Sequence, residues 1–161
     1  MNLVRGYARR NVPLAEFFRG PGETELAPGE FIESVSFPRP HGRWGSAFFK
    51  LGRRSAMAVS VVNAAAWLLL DAAGEITEAR VALGAVAPVP VLCVGAARTL
   101  IGAAPAAGSE ETFRVAAEAA LRDISPIDDI RATAEYRTHA TRIAVQRILS
   151  EAWHQAEKDR P

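Results

Sequence analysis

The chain has one cysteine, Cys93. An intramolecular disulfide is impossible, and no Cys/His cluster surrounds Cys93 to hold a metal. It reads as a small buried apolar residue of a protein in a reducing, cytoplasmic compartment. An excess of charge is also missing, since 19 Lys and Arg stand against 18 Asp and Glu. No basic field exists to hold a phosphate backbone, so nucleic acid is not an expected partner. Met1-Asn2-Leu3-Val4-Arg5 lacks the apolar core of a secretion signal. The most apolar stretch, Ala56 to Leu70, is broken by Ser60 and Asn63. It is shorter than the ~20 residues of a membrane helix, so it reads as a buried strand and no membrane partner is expected.

Catalytic spacings are lacking too. His41 lies in a loop, and His139 and His154 are too far apart for a helical metal pair, so surface histidines are expected. No Ser/His/Asp or Cys/His order defines an acyl-transfer nucleophile. No GxGxxG, P-loop or other glycine cluster offers backbone N–H groups to a pyrophosphate.

What is present divides at about residue 43. Nine Pro and Gly punctuate residues 1–40, leaving strands near Leu3 to Tyr7 and Phe31 to Phe37 and a helical turn at Leu14 to Phe18. Neither face of Phe31–Phe37 is cleanly polar, which predicts contact on both sides. Strand-like runs follow at Ser46–Arg53, Ala58–Leu70 and Thr77–Leu83, with Asp71-Ala72-Ala73-Gly74 as a hairpin turn. The second is apolar on both faces, as a central strand would be. Helical periodicity then covers Val91–Ile101, Glu110–Asp123 with Ser109 as N-cap, and a long helix from Ile130 to Ala156. Tyr136, Ala140, Ala144, Ile148 and Ala152 form one core stripe of that helix. The class is α+β, a three-stranded antiparallel sheet packed by three C-terminal helices. Residues 1–43 form an appended lobe and 44–161 the main domain.

Four segments carry a family resemblance. They are Val12-Pro13-Leu14-Ala15-Glu16-Phe17-Phe18 with Thr24–Glu30; Ala47-Phe48-Phe49-Lys50-Leu51-Gly52-Arg53-Arg54; Ala82-Leu83-Gly84-Ala85-Val86-Ala87-Pro88-Val89-Pro90; and Ile127–Arg137. In this order they resemble the C-terminal half of the medium, flavin-binding subunit of the molybdenum hydroxylase family, which includes xanthine and carbon monoxide dehydrogenases. The resemblance implies the CO dehydrogenase flavoprotein C-terminal fold, with residues 1–43 as an α/β remnant of the flavin-binding lobe. It places Leu26 and Lys50 near a flavin ring, and the glycine-rich loops that grip flavin in the half before this chain begins. Leu92 and Ala97 stand where the family usually has an arginine and a glutamate, which suggests that a charged surface has become apolar.

The candidate site joins Lys50 and Arg53, as cationic groups of a catalytic centre, to Leu26, Phe31, Trp44 and Phe48 as the lining of an apolar cleft. Most of Trp44, Phe48, Phe49, Phe31 and Phe37 are expected in the core. Arg53 and Arg54 should point to opposite faces of a strand, so only one can join Lys50. Asp128 and Asp129 beside Arg131 read as capping and ion-pairing groups.

Two functions fit. In the first, a complete short protein without flavin or any other cofactor binds a sizeable apolar metabolite. It catalyses a redox-neutral cyclisation or rearrangement, as in polyketide natural-product pathways, and self-associates as a homodimer to cover apolar surface. In the alternative, the chain is a fragment or split subunit of a molybdenum hydroxylase. It then helps to shield FAD beside molybdopterin and iron–sulfur subunits.

Overall fold

Antiparallel pairing organises both parts of the computed structural model, which describes residues 1–54, 57–104 and 110–158. The chain divides into two compact units, Met1–Pro40 and His41–Pro161.

In the first unit β1 (Asn2–Arg5) lies between β2 (Ala8–Asn11) and β5 (Phe31–Ser34). Gly6, at φ 58°, permits the tight turn from β1 to β2. A four-residue helix α1 (Leu14–Phe17) and a small hairpin, β3 (Phe18–Gly20) with β4 (Glu23–Thr24), complete it. Its core is Leu3, Val12 and Phe17, with Met1 and Leu26 packed alongside. The two-sided contact expected of Phe31–Phe37 is absent, because every residue of β5 is exposed and the strand ends at Ser34. Charge pairs tie its strands and loops together. Arg10 Nε and Nη2 grip both oxygens of Glu30 at 2.8 and 2.7 Å, and Arg9 and Arg19 pair with Glu33 and Glu25.

In the second unit β6 (Arg43–Gly52), β7 (Ser60–Leu70), β8 (Ile76–Gly84) and β9 (Val91–Leu92) hydrogen-bond in that order. The central strand is the one whose two faces are both apolar. The β7–β8 turn forms as its sequence requires: Asp71 Oδ1 accepts from Glu75 N at 2.9 Å and Gly74 adopts φ 91°. A fourth strand corrects the expected three. After Pro88 and Pro90 the chain returns beside β8, with Cys93 N donating to Val81 O at 2.8 Å, and helix α2 (Val94–Leu100) starts only at Val94.

Helix α3 (Glu110–Ala120) ends in a 3₁₀ turn, Leu121–Asp123; Ser109 lies outside the described residues. The long helix α4 (Ala134–Lys158) starts four residues later than expected. Thr133 Oγ1 accepts from Tyr136 N at 3.1 Å and Asp128 Oδ1 from Ala134 N at 2.6 Å, so the N-terminus is capped there. Tyr136, in the first turn, is half exposed and leaves the predicted stripe, whereas Ala140, Ala144, Ile148 and Ala152 are buried.

α4 lies across β6 and β7, α2 lies on β8, and α3 packs against α2 and α4. Val62, Ala64, Ala66, Leu68 and Leu70 of β7 meet Val145, Ile148, Leu149 and Ala152 of α4 in one continuous core. Gly45 lets the helix come this close. A Cβ there would fall inside the radius of the Ala152 carbonyl oxygen and 2.6 Å from Ala156 N.

Candidate functional site

Because side chains alternate along a strand, the residues facing α4 leave a second set on the opposite face of the sheet. In β6 these are Trp44, Ser46, Phe48 and Lys50; in β7 Asn63, Ala65, Trp67 and Leu69; in β8 Glu78, Arg80 and Ala82. The register sets them in rows. Phe48, Ala65, Ala82 and Leu92 run across all four strands, with Phe48 and Leu92 66% and 57% exposed. Lys50, Asn63 and Gly84 form the next row. The Asn63 amide lies over Gly84, where a Cβ would stand 2.5 Å from Oδ1 and 2.9 Å from Nδ2. On the other side the Arg80 guanidinium sits 5.8 Å from the Trp67 ring centroid. Together they make a flat apolar strip flanked by an ammonium, a carboxamide and a guanidinium, which suits a planar, partly polar group.

Arg137 holds the end of this sheet. It is 3% exposed, and its Nη1 donates to Val61 O at 2.6 Å and Ala85 O at 2.8 Å, while Nη2 reaches Asp129 Oδ1 at 2.7 Å. Ala85 takes φ 63°, an unusual value for a residue with a Cβ, and its carbonyl meets the guanidinium. Asp129 also accepts from Arg131 N, Arg131 Nη1 and Ala132 N. These hydrogen bonds and cations, the Arg131 amide first, hold its carboxyl well below the usual range. Asp128 and Asp129 are thus capping and pairing groups, as the sequence implied. Nothing in the sequence sets Arg137 apart from Arg142 and Arg147 of the same helix; only the fold shows that it is the buried one.

The six predicted site residues fall in both units. Leu26 and Phe31 belong to the first, Leu26 half-buried against its small core and Phe31 58% exposed. Trp44, Phe48 and Lys50 share the helix-free face of β6. Arg53 and Arg54 do not lie on the strand, because β6 stops at Gly52, whose Cα faces the Ala58 side chain. Arg53 Nη1 instead donates to Ile130 O at 3.1 Å, and Arg54 Nη2 to Met57 O at 2.6 Å. The aromatics are less buried than expected: Phe31, Phe37 and Phe48 are exposed, and Trp44 and Phe49 half-buried.

All three histidines are exposed, and no group of metal-binding side chains occurs among the described residues. The Cys93 thiol is buried, and burial, reinforced by the Asp123 carboxylate, pushes its pKa up to about 12. The positive-φ glycines Gly6, Gly22, Gly29, Gly42, Gly74 and Gly102 each stand alone. Among the described residues there is no backbone cradle for a dinucleotide's pyrophosphate, so these residues fit the planar part of such a group and not the whole.

Comparison with known proteins agrees with this architecture. The family described as CO dehydrogenase flavoprotein C-terminal domain matches residues 47–152. The xanthine dehydrogenase FAD-binding subunit of Escherichia coli O157:H7 is 35% identical over 144 residues, covering 89% of this chain and 48% of that protein. The carbon monoxide dehydrogenase medium chain of Hydrogenophaga pseudoflava is 30% identical, covering 90% and 49%. Among solved structures, quinoline 2-oxidoreductase from Pseudomonas putida 86 superposes with a TM-score of 0.85 at 29% identity, covering 97% of this chain and 52% of that one. The fold is thus that of a flavoprotein C-terminal domain. The chain belongs to the CO dehydrogenase flavoprotein C-terminal family and spans about half the length of the relatives it matches.

Proposed function

We propose that this chain acts as the ring-facing half of a flavin subunit in a molybdenum hydroxylase, working in the cytoplasm beside molybdopterin and iron–sulfur subunits. The observation that carries the reading is the one-sided sheet, with α4 on one face and the Phe48–Ala65–Ala82–Leu92 row beside Lys50 and Asn63 on the other. A flavin, when bound, supplies hydride and one-electron chemistry. Lys50 and Asn63 offer an ammonium and a carboxamide to the edge of a planar ring. Pyrophosphate binding falls to a polypeptide with the backbone cradle that the described residues lack, so the chain alone retains no flavin.

The relatives give no support to a redox-neutral cyclisation or to natural-product biosynthesis. Their names are those of dehydrogenase and oxidoreductase subunits, one of them a subunit of a 6-hydroxypseudooxynicotine dehydrogenase complex. The test is recovery of the tagged chain from the cells that encode it. Molybdenum and iron–sulfur absorbance should co-purify in fixed ratio, and a chain that emerges alone at native expression overturns the proposal.

A further inference from the structure

Free strand edges invite pairing, and folded proteins blunt them with charge, bulges or shortness. Each edge of the first unit carries such a device. β2 presents Arg9 and Arg10, β5 is bulged where the register slips between Asn2 and Leu3, and the β3–β4 hairpin is short. On the far side of the second unit's sheet, β9 has two residues. β6 is different: ten residues long, without proline, and in unbroken register with β7 from Arg43 to Leu51.

The outward direction of its backbone can be read directly. Ser46 N donates to Gln155 Oε1 at 2.8 Å and not to β7. The alternation of an antiparallel ladder then turns the backbone groups of Trp44, Phe48 and Lys50 outward with it. Among the described residues none of these three has a backbone partner on that side. Phe48, at the middle of the strand, is 66% exposed.

We infer that β6 pairs with β6 of a second copy of this chain, antiparallel about a two-fold axis at Phe48, to give one continuous eight-stranded sheet. The strand is self-complementary in this register. Phe48 meets its own counterpart, an aromatic cross-strand pair, and Lys50 faces Ser46 of the second copy; the paired stretch runs from Trp44 to Gly52 and stops short of setting Arg43 against Arg53. Phe48 N–H and C=O exchange two hydrogen bonds across the axis, and the exposed Gln155 yields the Ser46 N–H to the Lys50 C=O of the second copy. The inference does not rest on flavin chemistry, and it makes β6 a surface over which a second copy and any other partner compete.

Sedimentation and amide hydrogen exchange by NMR, both against concentration, test it. The intact chain should dimerise, and the Phe48 and Lys50 amides should gain protection as it does, while those of Phe49 and Leu51, already directed at β7, do not change. Phe48→Lys puts two ammonium groups opposite each other and should raise the dimer dissociation constant roughly tenfold or more with unchanged melting temperature. A monomer at every concentration overturns the inference. So does a dimer in which the Phe48 and Lys50 amides stay unprotected or which Phe48→Lys leaves intact.

Discussion

The two units reach order by different means. In the second, the apolar faces of β7 and α4 close a continuous core, and one buried guanidinium fixes the end of the sheet. In the first, Leu3, Val12 and Phe17 are the whole buried cluster, and three Arg–Glu pairs do much of the joining. Burial scales with size, so about 40 residues cannot remove enough apolar surface from water to match a larger unit. Exposed ion pairs contribute little each. The second unit should therefore tolerate acid and salt, and the first should be sensitive to both.

Arg137→Ala should have the largest effect. It removes one partner of a buried pair and strands two carbonyls, and a loss of about 3–5 kcal/mol is expected in denaturant unfolding. A loss below 1 kcal/mol would mean that the guanidinium is not the keystone of the second unit. Gly45→Ala comes next. It forces α4 off β6 against backbone that cannot rotate away, at a cost of about 3 kcal/mol, and a protein of unchanged melting temperature would contradict the close approach.

Acid should separate the two units. The Glu30 carboxylate, gripped first by the Arg10 side chain and then by Ala27 N–H, is lowered from 4.5 to about 2. A carboxylate lowered on folding stabilises the fold above its unfolded pKa and loses that contribution as pH falls through the folded one. Exchange protection in the first unit should decline between about pH 4.5 and 2, and Glu30→Gln should flatten the decline; protection unaffected by that substitution would break the argument. Lys50→Ala should matter least, within about 0.5 kcal/mol, because the ammonium is exposed and the strand is held by its odd-numbered neighbours. A marked loss of stability would return Lys50 to a structural role.

The parts of the fold that could be read from sequence are those governed by periodicity: the three long strands, the Asp71–Gly74 turn and the apolar stripe of the last helix. What escaped depends on partners distant in sequence. Val91 and Leu92 fit a helical or an extended pattern equally, and only pairing with the edge of β8 makes them a strand. The start of α4 was misplaced because Thr133 and Asp128 outbid the earlier apolar periodicity as caps. Of the candidate site, Phe48 and Lys50 follow from alternation along the expected Ser46–Arg53 strand, and Trp44 joins their face because β6 begins earlier, at Arg43. Arg53 shares a face with Lys50 only if the strand runs past Gly52, and it does not. Arg137 shows its importance only when Val61, Ala85 and Asp129 converge on it.

The most direct test of the central claim is titration of the purified chain with FAD and, separately, with riboflavin, followed by fluorescence quenching and gel filtration. On the proposed reading the sheet offers contacts to a ring and the described residues offer none to a pyrophosphate, so the two ligands should bind with similar, weak affinity and neither should survive gel filtration. Stoichiometric FAD carried through the column, with riboflavin far weaker, would contradict the account by showing that the chain grips the pyrophosphate itself.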